Sequence, residues 1–143
     1  MPITKISDLG LPAGSVLQVV TATDSTERTT TSTSFVTGSN TLSVSITPSS
    51  ASNKIFLVVD TSGYAVVAGR YTIFRDATNI GNGNSGLSQI EGGYGSVNMS
   101  ILDSPSTTSA ITYQVQFRNV SGADARIQIS TPKGSITAFE IAG

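Results

Sequence analysis

From residue 14 onward the sequence keeps returning to one pattern, a strict alternation of apolar and polar side chains. Leu42, Val44 and Ile46 alternate with Ser43, Ser45 and Thr47, and Val97, Met99 and Ile101 with Asn98 and Ser100. Ile111, Tyr113, Val115 and Phe117 alternate with Thr112, Gln114, Gln116 and Arg118, and Ile127 and Ile129 with Arg126, Gln128 and Ser130. Successive side chains of an extended chain point to opposite faces, so each run predicts a strand with one buried face. Residues 55–59 are apolar at every position, which reads as a central or doubly covered strand. Further strands are expected over 16–23, 31–37, 71–76 and 136–142, about nine in all at spacings of roughly 8–15 residues. No helical periodicity persists over 11 residues; at most Ile3, Ile6 and Leu9 line one side of a single turn.

The segments between these runs are turn-formers. TPSS (47–50) and DSPS (103–106) combine short polar side chains with a proline that presets φ. SGAD (121–124) and PKGS (132–135) read as hairpin connections. GNGNSG (81–86) and EGGYG (91–95) read as one longer glycine-rich excursion. Short strands at this spacing predict an all-β fold, an antiparallel β-sandwich of two sheets wired as a jelly roll. Residues 14–143 form its single domain. Residues 1–13 have no alternation and contain Pro2, Gly10 and Pro12, so they read as an extended N-terminal arm. Such an arm frays unless a partner holds it.

Composition narrows the function. The 143 residues include no Cys, no His and no Trp, which excludes disulfides, thiolate nucleophiles, Ser-His-Asp triads and most transition-metal sites. The eight Lys and Arg are dispersed and the net charge is −1, so neither a nucleic-acid footprint nor a basic membrane-binding helix is present. No apolar run approaches a membrane span, and the N-terminus lacks the apolar core of a signal peptide. Synthesis in a cytoplasm without export is expected. No cofactor and no metal are expected. The chain carries 41 Ser and Thr residues but only 12% charged ones. The hydroxyls suit the outward phase of strands, and trypsin has no site between Arg75 and Arg118. Such a surface suits a protein exposed to its environment, and its weak repulsion permits close self-association.

Individual motifs carry little chemistry. Gly81, Gly83 and Gly86 match G-x-G-x-x-G, but no helix or βαβ unit follows, so they read as a flexible loop. The nine acids (Asp8, Asp24, Glu27, Asp60, Asp76, Glu91, Asp103, Asp124 and Glu140) are scattered singly. They offer no evident glycosidase pair and no calcium-loop spacing. The sequons at Asn98 and Asn119 read as chance matches in a Ser-rich chain. Phe56, Tyr113, Phe117 and Phe139 fall on what reads as the buried phase. Tyr64, Tyr71 and Tyr94 read as core or intersubunit aromatics before a carbohydrate platform.

Five segments carry a resemblance: GSVLQVV (14–20), ITPSSASNKIFL (46–57), TIFRDATNIG (72–81), LDSPSTTSAITYQVQF (102–117) and ITAFEIAG (136–143). Together the chain resembles small virion-surface proteins of tailed bacteriophages of aquatic hosts, cyanophages among them. That resemblance implies a trimeric β-sandwich on the particle, either a capsid cement (decoration) protein or part of a tail fibre, with no catalytic residues. The cement reading expects a homotrimer on the major capsid protein, anchored by Ile3, Ile6, Leu9 and Leu11 of the arm. The alternative is a tail-fibre or receptor-binding module, with other fibre proteins and a host glycan as partners. It would bind through Asn82, Asn84 and Tyr94 of the glycine-rich excursion. A polysaccharide-cleaving enzyme is a third reading.

Overall fold

The computed structural model describes residues 11–130 and 132–143. Ile3, Ile6 and Leu9 of the expected arm therefore lie outside the described residues. Nine strands form: β1 (Val16–Asp24), β2 (Arg28–Thr30), β3 (Ser43–Ile46), β4 (Lys54–Arg75), β5 (Thr78–Asn79), β6 (Ser88–Asp103), β7 (Ile111–Asn119), β8 (Ala125–Ile127) and β9 (Gly134–Ile141). No α-helix occurs among the described residues. The alternation translates directly into burial: along β7, Ile111, Tyr113, Val115 and Phe117 are buried while the residues between them are not.

The wiring is that of a jelly roll in which two strands pass through both layers. Residues 54–60 of β4 pair with β9 on one side and with residues 98–103 of β6 on the other. With β1 beside β9, this makes a first layer in the order β1-β9-β4-β6. Residues 69–75 of β4 pair with β7 and, on the other edge, residues 68–71 pair with residues 88–91 of β6. With β3 beside β7, this makes a second layer in the order β3-β7-β4-β6. Because β4 and β6 are continuous, all nine strands belong to one hydrogen-bonded sheet folded over on itself. The core lies between the layers, with Ile55, Leu57, Val59, Val97 and Ile136 from one and Tyr71, Ile73, Tyr113, Val115 and Phe117 from the other.

At 22 residues β4 is far longer than an ordinary strand, and it needs a device to bend. The register shifts between Ala65 and Ala68, so that Val66 and Val67 bulge opposite Gly92. Bulges bend the strand that carries them. Gly92 and Gly93 answer with φ of +68° and +89°, a region costly for any residue with a Cβ. Inside the bend the Tyr71 hydroxyl donates to the Arg126 carbonyl at 2.8 Å. Gly63 makes room for it, since a Cβ there would stand 2.6 Å from that hydroxyl. The short pairings of β8 with β4 and β2 close the fold beside this corner.

Several local expectations are corrected. Residues 31–37 do not form a strand; only Val36 bridges to Phe117. Hydroxyls there bond to nearby backbone amides instead, Thr30 to Ser32, Ser32 to Ser34 and Thr37 to Ser39, a competition that short polar side chains win over a ladder. Residues 91–95 are not loop but the bent centre of β6. The strand expected over 126–130 stops at Ile127, since Gln128 and Ser130 take φ of +55° and +59°. The turn at 121–124 is no hairpin, because β7 and β8 are not paired with each other. Nor is 132–135 one, because β8 and β9 are not paired either.

Candidate functional site

The residues proposed as a ligand loop do not come together. Asn82 and Asn84 sit in the loop between β5 and β6, exposed. That loop is closed from within: the Asn79 side chain accepts from the Thr72 hydroxyl at 2.7 Å and the Gly81 amide at 2.9 Å, and donates to the Gly83 carbonyl. Gly86 is required there because a Cβ would fall 2.4 Å from the Tyr71 carbonyl oxygen. Of the glycines in the G-x-G-x-x-G match, Gly86 thus serves a close backbone approach and Gly83 a positive φ. Tyr94 lies instead at the bend of β6, opposite Tyr64, six residues along the strand from the end of that loop. At ~3.3 Å per residue this is ~20 Å along the strand.

The bend carries the most exposed aromatic among the described residues. Tyr94 is 76% exposed, and its ring lies 4.9 Å from that of Tyr64, centre to centre. The Arg126 guanidinium stands 5.2 Å over the Tyr64 ring and donates to Glu27 at 3.2 Å and Asp124 at 3.1 Å. Those carboxylates hold Arg126 above its ordinary pKa, the Asp124 hydrogen bond most of all. Val66 and Val67 of the bulge are half exposed nearby. Tyr71, the third tyrosine left unplaced by the sequence, is wholly buried, and burial pushes its hydroxyl up.

The other acids hold the fold. Asp103 receives Arg75 at 2.9 Å and the Tyr113 hydroxyl at 2.6 Å; burial above all, then the Asp103 carboxylate, raises that tyrosine. Glu140 is fully buried and accepts from the Ser49 hydroxyl at 2.7 Å and the Asn53 amide at 2.8 Å. No group of three acids that could hold a metal exists among the described residues. No helix among them is long and apolar enough to cross a membrane. Of the sequon asparagines, Asn98 is exposed, whereas Asn119 is buried and bonded to Asp124 and Ser121.

The most distinctive surface is one that the sequence placed inside. Phe56 and Phe139, expected in the core, point outward from the first layer, 6.2 Å apart between ring centres. The registers align Val19 with Phe139, Phe139 with Phe56, and Phe56 with Leu102. A row of four large apolar side chains therefore crosses all four strands of that face. Leu102 is 52% and Phe56 37% exposed, and Val16, Val19 and Val58 are also exposed. Residues 55–59 are thus central but not covered on both faces. Beside the row runs a shallow groove lined by Val58, Asp60, Asn98 and Ser100. Leu11, the described member of the expected anchor, is 39% exposed. It lies just before the point where Gly14 donates to Ala142 at the end of β9. Compared with protein-family models and with curated proteins, the sequence matches none.

Proposed function

We propose that this chain is a structural protein of a tailed-phage virion surface, a capsid cement that binds the assembled shell as a homotrimer and stabilises it. The observation that carries this reading is the exposed apolar row across β1, β9, β4 and β6. Contiguous apolar surface of that extent marks an interaction face, and here it sits on a compact sandwich whose buried acids are engaged in holding loops. The likeness of five sequence segments to small phage virion proteins supports the same reading. The mechanism is thermodynamic: a protein that binds only the assembled lattice stabilises it by mass action. Repetition over many symmetric copies makes weak contacts collectively strong. The arm residues Ile3, Ile6, Leu9 and Leu11 supply the anchor to the major capsid protein.

Quantitative mass spectrometry of purified virions tests the reading. A copy number matching the capsid lattice supports cement, and a few copies per tail overturns it. Deleting residues 1–11 is expected to leave a folded protein that no longer decorates capsids. Undiminished decoration by that truncate removes the arm from the mechanism.

A second reading, a fibre module for host glycans, is favoured by the exposed Tyr94 set against the half-buried Tyr64 beside Arg126, Glu27 and Asp124. Aromatic faces next to charged hydrogen-bonding groups suit sugar rings. Glycan-array binding that Tyr94→Ala abolishes would establish it.

A further inference from the structure

Among the described residues the outer face of the first layer carries two charged side chains, Lys54 and Asp60, and both lie on β4. Neither takes part in an ion pair among the described residues, whereas Arg28, Arg70, Arg75 and Arg126 all do. Between them lie Phe56 and Val58. The face is thus symmetric about Leu57 in charge (plus at one end, minus at the other) and asymmetric in size. The Phe56 row holds Val19, Phe139 and Leu102; the Val58 row holds Thr21, Thr137 and Ser100. One row is large and the next is small.

We propose that this face packs against the same face of a second copy, about a two-fold axis that crosses the strands at Leu57. Such an axis lays each strand antiparallel over its own counterpart, as in aligned sheet packing. Lys54 of one copy then meets Asp60 of the other, twice. The large row of each copy sits over the small row of its partner, which is how packed layers interdigitate. Leu102 comes over Ser100 of the second copy and enters the groove that Val58, Asp60, Asn98 and Ser100 line. Four strands ~4.8 Å apart and the stretch from Lys54 to Asp60, which the axis maps onto itself, give a footprint of ~400 Å² in projection. A face of that size belongs to the weak, concentration-dependent class of contact rather than to obligate interfaces.

This contact draws on the same apolar row as the cement reading, with the row joining copies of the chain and the arm left to hold the capsid. Closed shells combine local three-folds with local two-folds, so an isologous face can join one trimer to the next.

The test is sedimentation velocity with native mass spectrometry on the full chain. The wild type is expected to show a concentration-dependent doubling of its basic unit, whether that unit is one chain or three. Lys54→Asp and Asp60→Lys are each expected to weaken the doubling at least 10-fold, and the double variant to restore it. Leu102→Ser is expected to abolish it, with an unchanged melting curve showing that the variant folds. Within one copy Lys54 and Asp60 stand ~20 Å apart, so a zero-length Lys54–Asp60 cross-link forms only between copies. Absence of that cross-link, failure of the double variant to restore doubling, or a unit that doubles despite Leu102→Ser overturns the proposal. The virion copy number bears only on the cement reading, so the two can fail separately.

Discussion

The two outer faces of the sandwich share two of their strands, β4 and β6, and look nothing alike. On the first layer, β4 turns Phe56 and Val58 outward, beside Phe139 of β9 and Leu102 of β6. On the second layer the same β4 turns out Arg70 and Thr72, beside Gln116 and Arg118 of β7. That second face is further covered by the chain itself. Phe35 packs edge-on against Phe74 at 6.1 Å, and Arg118 lies over Phe35 while donating to the carbonyls of Asn84 and Thr33. The second face satisfies itself with its own loops; the first stays open among the described residues. A single continuous strand thus carries both roles, and the bulge at Val66 and Val67 is where one becomes the other.

The sharpest way to break this comparison sets two phenylalanines against each other. Phe117 is fully buried between the layers, stacked on Tyr71 at 6.1 Å, and Phe117→Ala should cost ~4 kcal/mol. Phe56→Ala, on the open face, should cost less than about 1.5 kcal/mol in dilute solution, where nothing covers it. Urea unfolding of both variants checks this, and equal losses would mean that the first face is not open.

Next in size is the bend that both faces depend on. Gly63→Ala drives a Cβ to within 2.9 Å of the Tyr71 hydroxyl, Ile90 and Val97, and should destabilise by ~3 kcal/mol. That corresponds to a fall of ~10 °C in Tm. Gly83→Ala, which meets nothing within 4 Å, should cost only ~1 kcal/mol, for its positive φ. Differential scanning calorimetry of the pair separates crowding at the bend from backbone strain.

A smaller effect probes the self-covered face. Arg118→Ala removes the stack on Phe35 and the bonds to Asn84 and Thr33. A loss of ~1.5 kcal/mol is expected, with faster proteolysis near residues 31–37. Loss of stability without local proteolysis would mean that the loop is held by other contacts.

How much of this asymmetry could be read from the sequence follows from what alternation encodes. A period of two marks which side chains share a face, so β3, β7 and the outer half of β6 were legible to within a residue or two. It does not mark whether a face is covered, and for residues 55–59 both phases are apolar. Phe56 was placed inside for that reason, although it stands on the outer side of its layer, as Phe139 does beside it. The union of two expected strands in β4 and the reach of β6 back through an expected loop were hidden because glycine-rich runs read as turns. Here Gly92 and Gly93 bend a strand without ending it. The scatter of Asn82, Asn84 and Tyr94 has the same origin, since a continuous β6 carries Tyr94 away from the loop. Nothing local could have placed the apolar row, because it is made by register across four strands that are distant in sequence.

The smallest expected effect lies where the two layers are joined at their edge strands. Asp24 ends β1 and accepts from the amides of Thr26 at 2.9 Å and Thr41 at 2.8 Å, with Arg28 at 3.8 Å. Residue 41 leads into β3, so one carboxylate ties the edge of the open layer to the edge of the covered one. Burial alone would raise its pKa, but the amides of Thr41 and Thr26 and the charge of Arg28 together hold it below the ordinary 3.8. A carboxylate depressed in the folded state stabilises the fold at pH values above its unfolded pKa. That contribution is lost as pH falls through the lower, folded value. Wild-type stability should therefore decline once pH drops below about 4. Asp24→Asn should be less stable than wild type at pH 7, because its amide group cannot accept from both backbone donors. Its stability should fall less steeply on acidification, so the two urea midpoints should converge towards pH 2 to 3. Parallel curves across that range would assign the acid sensitivity to other carboxylates and reduce Asp24 to a neutral turn-former.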